Sequence, residues 1–290
     1  MFKGALTALV TPFRDGAVDV PALRELIEWQ IQSGIDGLVP CGSTGESATL
    51  THAEHDAVVK LTIEQARRRV PVIAGTGSNS TAEAIRLTVA AAEMGADGAL
   101  LLSPYYNKPT QDGIYRHYKT IAASVTIPIL LYNIPGRTAS NITPETVARL
   151  AEIKNIVGIK EATGSMDQAS DISKLAGDKI AILSGDDSLT VPLIALGAKG
   201  VISTCSNAVP REMHDLADAA QAGDFAKARE IHYRLLPLMR ALFVETNPIP
   251  IKQALAFMGK CANELRMPLL PMTAGPAERL RVAMKELRLV

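Results

Sequence analysis

The chain has 290 residues, 47% of them hydrophobic, and 30 basic side chains balance 30 acidic ones. That length suits one large α/β barrel with an addition, or two domains, and the cancelled charge excludes a nucleic acid or an anionic membrane as partner. No apolar run approaches membrane-spanning length, no signal pattern opens the chain, and Cys41, Cys205 and Cys261 have neither disulfide nor zinc spacing, so we expect a reduced, cytoplasmic protein without a metal.

Short apolar runs alternate with amphipathic stretches from the start. The first strand is expected over Ala5–Val10, and Asp19 and Pro21 open a helix that ends at Gly34. A second strand, Gly37–Pro40, runs into Gly42-Ser43-Thr44-Gly45-Glu46, and Thr51 with Glu54 makes a capping box for the next helix. The Arg67-Arg68-Arg69 run falls where that helix should end, a favourable place for cations. Strand three is Val72–Ala74, and Ser80 with Glu83 reads as a second capping box. Strand four is Ala99–Leu102, followed by Tyr105-Tyr106, and strand five is Ile129–Tyr132. Strand six, from Ile156, stops on Lys160. Strand seven is Ile180–Leu183, strand eight is Val201–Ser203, and a helix follows from about Pro210 to Ala220. The joints Gly34-Ile35-Asp36-Gly37, Gly95-Ala96-Asp97-Gly98 and Gly197-Ala198-Lys199-Gly200 form a weak repeat, each between a helix and a strand. Eight even units point to a closed (β/α)8 TIM barrel over 1–223; a doubly wound open sheet is disfavoured because no G-x-G-x-x-G follows the first strand. From Asp224 onward the pattern is helical only, broken at Asn247-Pro248-Ile249-Pro250, so 224–290 is a C-terminal helical addition.

In such a barrel the strand C-termini share one face, and chemistry collects there. Ser43, Thr44, Tyr105, Tyr106, Tyr132, Arg137, Lys160, Gly185 and Asp186 all fall at those ends. An ammonium that closes an apolar strand is costly unless it reaches water, pairs, or releases its proton. A lysine amine so placed is a nucleophile toward carbonyls, and hydroxyls around it can carry the protons that imine chemistry moves. Gly42-Ser43-Thr44 can offer N–H and O–H donors to a carboxylate, and Arg137 can clamp a second one. Asp186-Asp187 reads as a helix N-cap in preference to a metal pair.

Three stretches together carry a family resemblance: Gly42-Ser43-Thr44-Gly45-Glu46, Tyr132-Asn133-Ile134-Pro135-Gly136-Arg137-Thr138 and Gly158-Ile159-Lys160-Glu161-Ala162-Thr163-Gly164. Across nearly the whole chain the sequence resembles the dihydrodipicolinate synthase family. The first stretch is shared with the wider pyruvate-dependent aldolases; the other two are more specific. The resemblance implies that Lys160 forms a Schiff base with pyruvate and that the resulting enamine attacks L-aspartate-4-semialdehyde, with no separate cofactor. It implies that Tyr132 shuttles protons and that Ser43 links it to Tyr106 of a neighbouring subunit. Thr44 would hold the pyruvate carboxylate and Arg137 the semialdehyde carboxylate, with Gly185 and Ile202 lining the pyruvate site. A homotetramer, built as a dimer of dimers, is implied as well. The family usually has Thr where this chain has Ser43, which keeps the hydroxyl but loses the methyl that restricts χ1.

Ser47, Ala48, His52, His55, Asn79, Glu83 and Tyr105 match the positions at which bacterial members bind L-lysine as a feedback inhibitor. Glu83 can pair the α-ammonium of such a ligand, and exposed helix histidines are the plainer reading of His52 and His55. Two other functions are weighed: a sugar-acid lyase of the N-acetylneuraminate type, against which Arg137 stands, and a non-catalytic amino-acid or keto-acid sensor, against which Lys160, Tyr132 and Arg137 stand together.

Overall fold

The computed structural model describes residues 2–290. Eight strands form one parallel sheet: β1 (Gly4–Ala8), β2 (Gly37–Val39), β3 (Ile73–Gly75), β4 (Gly98–Leu102), β5 (Ile129–Asn133), β6 (Ile156–Glu161), β7 (Ala181–Ser184) and β8 (Gly200–Ser203). Their spatial order is β2-β1-β8-β7-β6-β5-β4-β3. The two outer strands then meet: Leu38 bridges Val72, and the Leu38 N–H donates to the Pro71 carbonyl at 2.9 Å. The sheet therefore closes into a barrel, and the open-sheet alternative falls.

Alternation along each strand sorts the side chains. Leu6, Val39, Ile73, Leu100, Leu130, Leu183 and Ile202 fill the barrel interior as one cluster. Their neighbours, among them Ala5, Leu38, Ile129, Leu131 and Ile159, face outward against the helices. Each large aliphatic buried in this way contributes about 1.5–3 kcal/mol. The helices that follow the strands begin where short polar residues offer an acceptor: Asp19, Thr51, Ser80, Thr110, Thr143 and Ser165 each accept from an N–H of the first turn.

The Gly-x-Asp-Gly joint does more than turn the chain. Gly34, Gly95 and Gly197 have φ of +87°, +90° and +101°, a region closed to most side chains. The aspartates then reach sideways: Asp36 accepts from the Ala5 N–H and Asp97 from the Val72 N–H, both at 2.8 Å. These two joints thus each satisfy a free donor at the start of a neighbouring strand; the third has Lys199 in the aspartate's place.

Seven strands agree with the expected ranges to within one residue. The first ends at Ala8 instead of Val10, where the chain bends toward Thr11, whose hydroxyl donates to the Gly45 carbonyl. A hairpin, Phe13–Arg14 with Ala17–Val18, was not expected. Its Asp15-Gly16 turn has both residues at positive φ, a signal legible in the dipeptide itself. The Thr51–Glu54 capping box is complete. The second box is only half formed: Ser80 accepts from the Glu83 N–H, but the Glu83 carboxylate turns away to Ser78 and His52. At the end of His52–Ala66, Arg69 donates to the Ala66 carbonyl, while Arg67 and Arg68 take the left-handed region. After the barrel come the helices Phe225–Ala241, Ile249–Phe257 and Ala274–Glu286.

His117, on the helix Gln111–Ala123, is buried, with Nδ1 on the Thr81 hydroxyl and Nε2 unpartnered. Burial lowers its pKa from 6.5 to about 4. The unfolded chain then binds the proton first as pH falls, so stability is complete above pH 6.5 and is lost toward pH 4, by about 3 kcal/mol in all. Thermal unfolding measured across that window should show the fall, and His117→Gln should flatten it.

Candidate active site

The pairing of β5 with β6 sets the centre of the site. Tyr132 is the register partner of Lys160, so the two side chains leave adjacent parallel strands on the same face. Lys160 is only 5% exposed, and its Nζ lies 4.5 Å from the centroid of the Tyr132 ring. A cation that close to a phenol face is attracted by the ring quadrupole. Among the described residues, no carboxylate forms an ion pair with it.

Two acids follow β7. Burial raises the pKa of Asp186, and the Lys160 charge opposes that rise. Asp187 is buried, its pKa also raised by burial, and it accepts from the Thr204 and Cys205 N–H groups at 3.2 and 2.9 Å. The expected N-cap role is therefore corrected. Asp186 makes no side-chain cap bond at its own short turn, and Asp187 caps the turn after β8 instead. The close packing of the ends of β6 and β7 explains the glycine that follows β7: a Cβ on Gly185 would stand 2.4 Å from that of Ala162. Ile202, on β8, faces the barrel interior.

The turn after β2 supplies Ser43 and Thr44. Among the described residues, no backbone or side-chain acceptor within the chain takes up the Ser43 or Thr44 N–H. Thr44 is buried; its hydroxyl accepts from Asn247 Nδ2 at 2.9 Å and lies 3.5 Å from the Thr204 hydroxyl. Arg137 sits on the single turn Pro135–Thr138 and donates one N–H to the Asn247 carbonyl at 2.8 Å. Asn247 thus joins the two groups expected to bind carboxylates. Sequence reasoning missed it, because Asn-Pro announces a chain break and carries no sign of where the break will lie. Its Oδ1 is buried and unpartnered.

A cavity of about 430 Å³ opens beside these groups. Ser43, Arg137 and Asn247 line it, together with Ser47, Ala48, His52, His55, Glu83 and Tyr105. Lys160, Tyr132, Thr44, Gly185, Ile202 and Asn79 are not among its lining residues. Asn79 lends its carbonyl to the Asn107 side chain. Within the single chain, no hydrogen bond joins the hydroxyls of Ser43, Tyr132 and Tyr106, and Tyr106 is 87% exposed.

The histidines differ from the plain reading in one respect. His52 is exposed and contacts Glu83 Oε1 at 2.8 Å. His55 is buried, with Nε2 on the Gly75 carbonyl at 2.8 Å and Nδ1 toward Asp56. The hydroxyl of Ser78 and the ring of His52 hold Glu83 below the usual carboxylate range. Among the described residues, no three His, Cys, Asp or Glu side chains gather to hold a metal, and no helix is long and apolar enough to cross a membrane.

Residues 1–287 match the model of the dihydrodipicolinate synthetase family. A relative from Syntrophus aciditrophicus, named 4-hydroxy-tetrahydrodipicolinate synthase, is 59% identical over the whole of both chains. The solved dihydrodipicolinate synthase of Acinetobacter baumannii, described as chloride-inhibited and complexed with pyruvate, is 45% identical, with a TM-score of 0.98 over all of both chains. The lysine-bound enzyme of Cyanidioschyzon merolae is 42% identical, with a TM-score of 0.97 over 100% of this chain and 99% of that one. Matched from end to end in sequence and in fold, the chain belongs to the dihydrodipicolinate synthetase family and is a lyase.

Proposed function

We propose that this lyase condenses pyruvate with L-aspartate-4-semialdehyde, on the path to diaminopimelate and lysine, and that L-lysine inhibits it. The catalytic unit is the barrel of 1–223, with 224–290 as a helical addition, working in the cytoplasm as a homotetramer. One observation carries the reading: a buried lysine amine in register with a tyrosine, at the strand ends of a barrel.

The chemistry follows from the groups present. The Lys160 amine adds to C2 of pyruvate, and loss of water leaves an imine. Removal of a C3 proton gives the enamine, whose carbon attacks the aldehyde and leaves a hydroxyl. The amino group of the second substrate then displaces Lys160 from the imine carbon, which closes the ring and frees the enzyme. Tyr132, over which Lys160 lies, carries protons at these steps, with Ser43 and a partner's tyrosine at position 106 completing the relay. The high exposure of Tyr106 suits a side chain that serves a neighbouring copy. Thr44 and the unused N–H groups beside it receive the pyruvate carboxylate, next to Gly185 and Ile202. Arg137 has used one N–H on Asn247 and keeps its other donors for the second carboxylate, which a sugar-acid lyase has no need of. No cofactor enters, because the lysine itself is the electron sink once the imine has formed.

The cavity suits an amino acid. Ser47, Ala48, His52, His55, Glu83 and Tyr105 line it, with Asn79 close by in sequence, and a member of the family is known with lysine bound.

Pyruvate with borohydride should add one reduced adduct per chain, mapped by peptide mass to Lys160, and Lys160→Ala should take up none. Untreated enzyme should show coupled turnover with pyruvate and aspartate semialdehyde and not with N-acetylneuraminate; the reverse would make the chain a sugar-acid lyase. Ser43→Thr should keep its activity and Ser43→Ala should lose about 10²-fold in kcat, whereas an Ala variant as fast as the wild type removes Ser43 from the relay. L-Lysine should inhibit turnover, and Glu83→Gln should weaken that inhibition about tenfold or more at pH 7, where the carboxylate is ionised.

A further inference from the structure

Between Ser43-Thr44 and Ser47-Ala48 lies Glu46, and its environment is unusual. Its backbone is left-handed, with φ of +53°, a region that few non-glycine residues occupy without support from their surroundings. Its carboxylate is buried at 1% exposure, facing a Lys252 ammonium at 0%, with Nζ 2.5 Å from Oε1. The other oxygen accepts from the Arg266 N–H at 3.0 Å. Lys252 also donates to the Glu264 carbonyl at 2.7 Å and stands 4.0 Å from the centroid of the Phe13 ring.

Both partners of Glu46 come from beyond the barrel. Lys252 is on the helix Ile249–Phe257, one turn after Asn247, which holds Thr44. Arg266 grips the same loop further along, donating to the Thr49 carbonyl at 2.9 Å and to Glu54. A pair buried this deeply adds little net stability compared with well-packed apolar side chains. What it does add is geometry, because each charge has only one place to go.

We propose that Glu46 and Lys252 are positioning residues, through which the C-terminal helices fix the loop that carries Ser43 and Thr44 for the keto acid and Ser47 and Ala48 for the amino acid. This deepens the functional reading above and rests on it for the identity of the two ligands. Lys160 and Tyr132 stand on barrel strands outside this loop. Of the relay only Ser43 lies in the loop, so loosening it weakens pyruvate binding, slows the chemistry to a smaller extent through Ser43, and weakens lysine inhibition in the same variant.

The test uses the full chain with Lys252→Met and with the Glu46→Gln/Lys252→Met double variant, which leaves no uncompensated buried charge and so retains the fold. Hydrogen exchange over residues 42–49 should quicken in both. The KM for pyruvate should rise about tenfold, with a smaller fall in kcat, and half-inhibition by L-lysine should need about tenfold more ligand. A purely structural pair predicts something else: the double variant regains its melting temperature together with wild-type exchange, KM and lysine response, and that result overturns the proposal. The exchange arm needs neither ligand. If the wild type fails to trap pyruvate on Lys160, the functional reading falls, while protection of 42–49 still decides the role of the pair.

Discussion

The constraint on which the rest depends is the register between β5 and β6. One residue of slip would turn Lys160 out of the barrel and bring Ile159 in, since successive side chains on a strand point to opposite faces. The register shifts once, between Ile129 and Leu130, and is then held from Leu130 opposite Gly158 to Asn133 opposite Glu161. Glu161, on the outward face, strengthens the end of the strand. It accepts from the Thr163 N–H at 2.9 Å and from the side chains of Asn133 and Gln168. Burial alone would push its carboxyl pKa up, and those donors work against that push. The amine on one face and the polar network on the other are therefore fixed by the same few backbone pairings.

Closing the barrel turns that local fact into a site. With β2 and β3 joined at Leu38 and Val72, all eight strand ends open on one side, and residues distant in sequence converge. Thr44 meets Thr204 across 160 positions, and Asn247 reaches back to Thr44 and Arg137. None of these contacts is local, and each depends on the hydrophobic layers of the barrel being well enough packed to hold its ends apart by a constant distance.

Much of this was legible in the residues. Apolar alternation located the strands, because a strand buried between an interior and a ring of helices leaves little freedom of composition. The Gly-x-Asp-Gly joints marked the repeat, and strand ends located Lys160, Tyr132 and Ser43. What stayed hidden was of two kinds. Asp187 and Glu83 look like cap residues because local spacing is all that a sequence displays; both instead answer partners outside their own helix, the turn at Thr204–Cys205 and the pair Ser78 and His52. Asn247, Lys252 and Arg266 lie in a stretch whose periodicity speaks only of helices. Their contact with the loop after β2 is a matter of how the C-terminal helices dock, which pattern alone does not encode. His55 belongs with them: next to a polar first turn it reads as exposed, yet it is buried against the Gly75 carbonyl.

One cavity is lined both by Ser43 and Arg137 and by His52 and Glu83. Where binding beside Ser43 and binding beside His52 are coupled, the coupling is symmetrical: whatever factor one ligand imposes on the affinity of the other, it receives in return. No relay across the fold is needed for such an effect, since the shared wall from Ser43 to Ala48 is only a few residues long. The strength of any such coupling is set by how stiff that short wall is.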